Sequence, residues 1–319
     1  MRIRPLLVVS ALVLTGVSTA SPALAMPRPE NGEIAFGRFD PALGDFSIWV
    51  ANPDGTHQRP LTTVPSHISD WSPSGNRIAY DFVDDIGQHI ATISPDGTFE
   101  RQITFGSGIQ GDPRWSPDGR RITFDASPLS PDDPSFSTSI WVMRADGSHA
   151  RQVTSDGFDV EPVFSPDGKR IAFGRITGVT AAGDQLEAVY VVDVDGTHLR
   201  QVVPPLAGLE HPDWSPNGAW ISFNIAPESV NAPDSGSIIT VHPNGNGLRV
   251  LQGPSDDLRF FKPVWSPDGR KLLVGCHNPQ TGLDQLCVLD ANGRNAHVII
   301  LGSPYPVNFP AWGSHPPQQ

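Results

Sequence analysis

The sequence is poor in cysteine, methionine and charge. Its 319 residues include 2 Cys, 3 Met and 3 Tyr, and charged residues make up 18%. Two cysteines are too few to staple a chain of this length into a disulfide-rich scaffold. The net charge is −12 and no basic run occurs, so nucleic acid and anionic lipid are disfavoured as partners. The 31 Gly and 33 Pro instead indicate a turn-rich globular chain.

Several catalytic signatures are also missing. The chain has no G-x-S-x-G elbow for a nucleophilic serine, no H-E-x-x-H, no C-x-x-C and no P-loop. No segment carries a sustained helical period. These absences favour a non-enzymatic, all-β protein without a cofactor, although an enzyme with a site assembled from distant residues stays open.

One long apolar run occurs, at the N-terminus. "MRIR" supplies a positive start, "PLLVVSALVLTGVSTA" is apolar and "SPALA" ends in small residues. This pattern predicts a signal peptide at residues 1–25, cleaved after Ala25, and a secreted or periplasmic protein. The run is shorter than the ~20 residues that span a bilayer, so no membrane span is expected in the mature chain. Residues 26–30 are predicted to be a linker.

The rest of the chain repeats one pattern. An aromatic residue followed by "SPDG" or a variant of it, then an apolar triplet, occurs five times, and a sixth aromatic residue, Trp312, continues the spacing of 44 to 51 residues. The aromatic residues of the six repeats are Trp71, Trp115, Phe164, Trp214, Trp265 and Trp312. A later apolar segment and an Asp-Gly or Asn-Gly turn follow in each unit, for example at Asp195-Gly196. A period of this length indicates a repeat architecture.

Each repeat predicts four short strands, and units of this kind in series form a β-propeller. The first unit lacks its first strand, and the last aromatic, Trp312, has no strand after it. We therefore predict a six-bladed propeller over residues 31–313, closed by pairing of the C-terminal strand with the N-terminal blade. Residues 314–319 are predicted to be a disordered tail. The repeated aromatic residues and triplets are interpreted as packing between blades.

The motif "PxWSPDGxxIAF" followed by "IWVMxADGxxxRQVT" resembles the TolB-type, or PD40, propeller repeat, over residues 31–313. The resemblance implies a six-bladed propeller used for protein–protein contact in the cell envelope. The extra N-terminal α/β domain of TolB has no counterpart in this sequence. Similar repeats also occur beside the hydrolase domain of prolyl-oligopeptidase-like enzymes, and no such domain fits in this length.

The cysteines and acidic pairs were weighed as structural or metal sites. Cys276 and Cys287 lie in two apolar segments that would form a hairpin, which in an exported protein predicts a disulfide. The histidines of "DGTH" and "DGSH" repeat at one blade position, which favours a structural role at the outer edge. Adjacent acids could bind calcium, although solvated loop charges are the commoner reading. These pairs are Asp84-Asp85, Asp132-Asp133 and Asp256-Asp257.

One position of the repeat changes its chemistry. Three residues before each first-strand aromatic, where the innermost strand begins, acidic, basic and apolar residues alternate. These residues are Ile68, Asp112, Glu161, His211, Lys262 and Phe309. A structural position would keep its residue type, so we predict that these side chains ring the channel mouth and, together with the long variable loops of the top face, bind a partner.

The predicted partner is a protein or peptide in the envelope or outside the cell, bound by a monomer. Two alternatives stay open. One is a propeller enzyme of the lyase, lactonase or cyclase type, with its active site at the channel mouth and with or without a metal there. The other is a module that binds carbohydrate or envelope polymer. Convergent histidines and carboxylates at the axis would favour an enzyme, and an open, aromatic-rimmed top would favour a binding protein.

Overall fold

A computed structural model describes residues 30–128, 133, 135–155, 157–226, 235–302 and 304–314. The predicted signal peptide, most of the predicted linker and residues 315–319 of the predicted tail lie outside these ranges, so their boundaries stay predictions. The described residues form 25 β-strands and no helix. Within these ranges, therefore, no helix has the length and hydropathy needed to cross a membrane.

The strands are short and follow one another closely. Those of the first half are β1 (Asn31–Asp40), β2 (Asp45–Ala51), β3 (Arg59–Pro60), β4 (Ser66–Trp71), β5 (Ile78–Val83), β6 (Gly87–Ile93), β7 (Glu100–Gln102), β8 (Gly108–Trp115), β9 (Arg121–Ser127), β10 (Ser139–Arg144), β11 (Arg151–Gln152) and β12 (Asp159–Phe164). Those of the second half are β13 (Arg170–Val179), β14 (Gln185–Asp193), β15 (Arg200–Gln201), β16 (Leu206–Ala207), β17 (Leu209–Trp214), β18 (Ile221–Ile225), β19 (Ile238–Val241), β20 (Arg249–Gln252), β21 (Arg259–Trp265), β22 (Lys271–Asn278), β23 (Leu283–Asp290), β24 (His297–Ile300) and β25 (Val307–Ser314).

The repeated turn residues explain why the strands form antiparallel meanders. In "SPDG", Gly168 has a φ of 67° and donates its N–H to the Ser165 carbonyl at 2.8 Å. The Ser165 hydroxyl donates to Asp167 Oδ1 at 2.6 Å, which fixes the turn from its side chains. A residue with a Cβ would be strained at this φ, so glycine is required where β12 turns into β13.

The predicted six separate four-stranded blades are wrong. Hydrogen bonding divides the described strands into five sheets, of which four are separate blades of four or five strands. The remaining strands, β4–β11, form one eight-stranded sheet that contains two of the sequence repeats. Its two parts are joined by parallel pairing of β6 with β8, where Gly87 lies opposite Gly108. A Cβ on Gly87 would lie 2.3 Å from the Gly108 oxygen, so this junction depends on the bare glycine backbone.

The first strands of the repeats surround the axis. Strands β4, β8, β12, β17, β21 and β25 contact one another in a closed cycle. The cycle closes because β25 pairs antiparallel with β1, with Trp312 opposite Ile34 and Ala311 opposite Ala35. The N- and C-terminal parts of the described chain therefore share one sheet, and their pairing leaves no open edge between them.

The repeated aromatic residues lie between sheets, as their interpretation as packing residues requires. Trp214 is 5% exposed and packs with Val189 and Val191 of the preceding sheet. Trp312 is buried against Leu273 and Leu286. Because each sheet covers the apolar face of its neighbour, removal of one aromatic residue would leave a cavity between two sheets.

The two cysteines form a disulfide in a hairpin, as the sequence predicts. Cys276 lies in β22 and Cys287 in β23, and their Cα atoms are 5.9 Å apart. The residues are diagonal rather than directly opposite, because Cys276 faces Gln285 and Cys287 faces Val274. Both side chains are fully buried. The bond therefore links two neighbouring strands inside the core.

We expect deletion of residues 308–313 to open the ring. The deletion removes Trp312 from the core and exposes the edge of β1, so it should cost more than ~3 kcal/mol and cause aggregation. Thermal unfolding and light scattering measure both effects. Truncation after Ser314 is the matched control and should leave them unchanged. Equal melting of the deletion variant and the full chain would show that closure by β25 is dispensable.

We expect the oxidised protein to show no free thiol on alkylation under denaturing conditions until it is reduced. The bond closes a short loop, with a sequence separation of 11 residues, so replacement of both cysteines by alanine should cost about 3 kcal/mol at most from lost cross-linking. Mass spectrometry counts the labelled thiols, and urea unfolding gives the stability. Two labelled cysteines without reductant would contradict the assignment.

Candidate functional site

The inner ring is the set of six predicted positions, Ile68, Asp112, Glu161, His211, Lys262 and Phe309. Each lies in a first strand at a break in the register with the second strand, for example between Val160 and Val163 in β12. The side chain of Ile68 is outside the described part of the structure, and its backbone belongs to β4. The register breaks are β-bulges, which redirect side chains and are common beside binding sites.

The other five members of the inner ring share an unusual backbone. Their φ angles lie between 49° and 57°, in the left-handed region, and each precedes a proline. A residue before proline normally adopts an extended conformation, and a non-glycine residue in the left-handed region is strained by ~1–3 kcal/mol. The fold maintains this strain five times, which suggests that the direction of these side chains matters.

The bulges free backbone N–H groups, and side chains of the preceding repeat accept two of them. His211 donates its N–H to Glu161 Oε2, and Lys262 donates its N–H to Asn224 Oδ1 at 3.0 Å. Deeper in the channel, Asp213 accepts the N–H of Trp265 at 2.9 Å. Each such bond fixes one repeat relative to the next and sets the spacing of the ring.

Two further rings surround the inner one, and the sequence reasoning missed both. The second ring directly follows the apolar triplet of the second strand and consists of Gly37, Asp81, Asp125, Gly174, Asn224 and Gly275. The third ring lies near the start of the third strand, with Thr138 and Gly236 just before it, and consists of Phe46, Gln88, Thr138, Glu187, Gly236 and Asp284. The sequence did contain a signal for the second ring, because the residue after each repeated apolar triplet varies among Gly, Asp and Asn. Gly174, for example, leaves space for Glu187, whose Oε1 would lie 1.9 Å from a Cβ there.

One side of the site is acidic, and we call Asp112, Asp125, Glu161 and Glu187 the acidic half. Asp125 and Glu187 are 6% and 2% exposed. Burial, followed by the charge of Asp112, raises the pKa of Asp125 well above its ordinary value. Burial and the neighbouring Glu161 raise the pKa of Asp112 to about 6. Burial also raises the pKa of Glu187, with Glu161 adding to the effect.

His211 neutralises only one member of the acidic half. Its Nε2 lies 3.0 Å from Glu161 Oε1, and its Nδ1 lies 3.6 Å from Glu210 Oε2. Burial is the largest single influence and would lower the pKa of His211, but the charge of Glu161 and hydrogen bonding to Glu161 and Glu210 together raise it. The same contact lowers the pKa of Glu161 although burial acts against it. Each charge of this pair therefore stabilises the other.

The opposite side is basic and aromatic, and we call Lys262, Phe309, Phe46 and His67 the basic half. The Lys262 ammonium lies 3.7 Å from the centre of the Phe309 ring, and burial lowers its pKa to about 8. Phe309 also meets the Phe46 ring edge-on at 5.3 Å. His67 lies 2.9 Å from Asp45, and hydrogen bonding to Asp81 is the main reason that its pKa rises to about 8.

A cavity of about 420 Å³ opens beside Lys262. It is lined by Glu210, His211, Phe261, Lys262, His277, Asp284 and Asn308. Next to it, around Arg114 and Asp213, only about 10 Å³ is free, which is room for about one water molecule. Arg114 lies 3.8 Å from Asp70 there. The cavity therefore has a nearly closed floor and is a pocket rather than a wide pore.

The remaining histidines and acidic pairs do not converge on a metal. Among the described residues, no group of three or more His, Cys, Asp or Glu side chains could hold a metal ion. His57, His149 and His198 are exposed at turns, with φ near 55°. Asp84 caps its own loop by accepting the Ile86 N–H at 2.8 Å. Asp132 and His315 lie outside the described residues.

Comparison with known proteins gives the family. A family model described as PD40, TolB beta propeller domain, matches residues 40–315. The chain belongs to this family. An uncharacterized protein of Agrobacterium fabrum, Atu1656, is 30% identical over 117 residues, which cover 36% of this chain and 38% of that protein. The sequence similarity to Atu1656 therefore extends over about a third of each of the two chains.

Solved structures show the same fold. TolB from Acinetobacter baumannii superposes with a TM-score of 0.71 and 22% identity over 88% of this chain and 66% of its own. A putative TolB from Agrobacterium tumefaciens superposes with a TM-score of 0.62 and 18% identity over 86% of this chain and 89% of its own. An oligogalacturonate lyase in complex with manganese superposes with a TM-score of 0.53 and 12% identity over 85% of this chain and 74% of its own. The TolB-like propeller is thus shared by proteins of different names, so the fold alone does not select a function.

The buried acid below the rings gives a pH prediction. Burial raises the pKa of Asp213 to about 7 from an ordinary value of 3.8. Below pH ~4 both folded and unfolded states bind the proton, and as the pH rises to ~7 the unfolded state ionises first, so the folded state loses stability. Asn keeps the acceptor for Trp265 and cannot ionise. Asp213→Asn should therefore gain on the order of 1–2 kcal/mol relative to the parent between pH 5 and 8.

Urea unfolding at several pH values measures this difference. Asp256→Asn, at an exposed loop position, is the matched control and should differ from the parent by the same amount at every pH. A pH-independent difference for Asp213→Asn as well would mean that the pKa of Asp213 is not raised.

Proposed function

We propose that this chain is an exported, non-enzymatic binding protein that holds a segment of a protein or peptide partner at the inner ring. The observation that carries the proposal is the contrast within the repeats. Five residues share one backbone conformation at equivalent bulges of five strands, and they present Asp, Glu, His, Lys and Phe side chains. Structural positions such as the buried aromatic keep their chemistry, whereas a recognition surface varies it.

The shape and the charges of the site support binding of an extended, polar segment. The pocket of about 420 Å³ lies beside the basic half and could take one or two side chains or a chain terminus. Lys262 has its aromatic neighbour, and no ion pair of Lys262 is found among the described residues. Because His211 is already paired with Glu161, Lys262 is the better receptor for an anionic group of the partner.

The location follows from the N-terminal pattern. The signal-peptide pattern of residues 1–25 and the family's TolB name both favour the periplasm or the cell exterior. The disulfide between Cys276 and Cys287 agrees with an oxidising compartment. The partner is then expected to be an envelope or extracellular protein.

An enzyme is the second candidate, because histidines and carboxylates do converge at the inner ring. A pKa of about 8 for Lys262 and about 6 for Asp112 would suit proton transfer near neutral pH. However, His211 is held by Glu161 at 3.0 Å and His67 by Asp45 at 2.9 Å, which leaves these histidines committed to structural ion pairs. Mass spectrometry of a captured ligand before and after incubation separates the candidates, because a binding protein returns it unchanged.

The proposal is tested by capture from envelope extract with the mature domain, followed by affinity measurement for the captured partner. Lys262→Met removes the charge and keeps the length of the side chain. If the ammonium contacts an anionic group, the loss should be about 1.5–3 kcal/mol, or roughly 10- to 150-fold in Kd. Lys169→Met, at the exposed turn between β12 and β13, is the matched control and should bind like the parent.

Circular dichroism and thermal unfolding check that both variants fold. Equal affinity of Lys262→Met and the parent, together with equal affinity of Glu161→Ala and His211→Ala, would remove the inner ring as the binding site. The long loops of the top face would then be the next candidates, for example residues 180–184 between β13 and β14.

A further inference from the structure

The acidic half carries more negative charge than its neighbours neutralise. Glu161 is paired with His211, and Asp81 accepts a hydrogen bond from Gln88. For Asp112, Asp125 and Glu187, no ion pair is found among the described residues. Asp125 and Asp112 are hydrogen-bonded to each other, which requires that they share a proton. The charges of Asp112 and Glu161 act on Asp125 and on Glu187, and among the described residues no cation is paired with Asp112, Asp125 or Glu187.

Glu187 is independent evidence that the acidic half lacks a hydrogen-bond donor. It is 2% exposed, and its Oε1 has no hydrogen-bond partner within the described ranges. The carboxyl group lies over Gly174, which pairs with Val160, the residue before Glu161. A buried carboxyl oxygen without a donor is costly, so a donor supplied from outside would stabilise the site.

Thr138 repeats this feature one repeat earlier. It occupies the third-ring position equivalent to Glu187 and is 5% exposed. Its Oγ1 also lacks a partner among the residues that the structure describes. Two equivalent positions on this side of the site thus present buried polar groups that the protein itself does not satisfy.

The arrangement fits an organic cation better than a metal ion. Calcium needs six to eight oxygen ligands within ~2.6 Å, whereas no group of three or more candidate ligands converges in the described part of the chain. The acids come instead from strands of two repeats, β8 and β9 and then β12 and β14. A guanidinium group has five N–H donors in a planar fork and can serve several separated carboxylates at once.

We propose that the acidic half receives a cationic side chain of the partner, with the guanidinium group of an arginine as the best fit. The inference rests on the proposed function, since that function supplies the partner segment. The cation enters beside Asp112 and Glu161, which are partly exposed, and its N–H groups reach Asp125 and Glu187 behind them. The net charge of −12 attracts such a group from a distance.

Bound cations and protons compete at this site. The groups that act on Asp112 are Glu161, Asp81, Asp125, His211 and Arg114, and the acids among them favour its protonated form. A guanidinium group replaces the shared proton, so binding should release protons and strengthen as the pH rises from about 5 to 7. A merely structural role of Asp112 and Glu187 would not produce this dependence.

The test uses N-acetylarginine amide and its neutral isostere, N-acetylcitrulline amide, as probes of the mature protein. Amide resonances of residues 110–112, 114, 159–161 and 163 are followed by NMR during titration. We expect the arginine probe to shift these resonances with a Kd at least 10-fold lower than that of the citrulline probe. The affinity for the arginine probe should rise between pH 5 and 7, and the affinity for the citrulline probe should stay constant.

Isosteric variants assign the effect to the carboxyl groups. Asp112→Asn and Glu187→Gln should each weaken binding of the arginine probe at least fivefold and leave folding intact, because the amides keep the size of the carboxyl groups but cannot carry their charge. Asp256→Asn, an exposed acid outside the site, should bind like the parent. Equal binding of the two probes, unchanged resonances at the acidic half, or unchanged affinity of both variants would each overturn the assignment.

This outcome is separable from the fate of the proposed function. If the arginine probe does not bind while Lys262→Met has lower affinity for the captured partner, the proposed function is supported and the cation site is contradicted. If the arginine probe binds as expected while Lys262→Met binds the partner normally, the cation site stands and the role of the basic half falls.

Discussion

The organisation of the site depends on one backbone constraint, a left-handed residue before proline at the bulge of an inner strand. At this bulge the ladder with the second strand breaks, and the freed N–H groups of His211 and Lys262 bond to side chains of the preceding repeat. Without the bulge, successive side chains would alternate regularly and the ring residues would lie in the sheets. The strain at five positions is therefore the condition for an inner surface with its own chemistry.

Charge is distributed unevenly over that surface because burial penalises ions differently on its two sides. On the acidic half, several carboxyls face one another and protonation is the cheapest way to remove the repulsion. On the basic half, Lys262 loses hydration but gains the face of Phe309. The cost of burying charge is thus offset differently on the two halves, by proton uptake on the acidic half and by contact with an aromatic ring on the basic half.

The sequence predicted the general architecture well, because the period, the turn glycines and the buried aromatic residues all follow from local rules. The spacing to the repeated aromatic residues selected the six bulge positions, whose role in binding stays a prediction. The apolar segments predicted the hairpin of Cys276 and Cys287. The number of separate blades could not be predicted, since the pairing of Gly87 with Gly108 depends on how closely two backbones approach in space. The pairing of Glu161 with His211 and the burial of Glu187 are likewise products of folding, since these residues are distant along the chain or lie in different strands.

The eight-stranded sheet has a mechanical consequence. Where two sheets meet only through side chains, they can slide or tilt slightly, as layers of packed apolar groups do. Strands β6 and β8 are joined by two residue pairs of a parallel ladder, whereas other neighbouring sheets share single backbone hydrogen bonds, such as that from Asp159 N–H to the Thr138 carbonyl at 3.1 Å. The repeats that contain Trp71 and Trp115 are therefore coupled more firmly than other neighbours. Asp112 and His67 are carried by β8 and β4 of this sheet, whereas Lys262 and Phe309 belong to separate blades. Any breathing of the propeller would therefore displace Lys262 and Phe309 relative to Asp112 and His67.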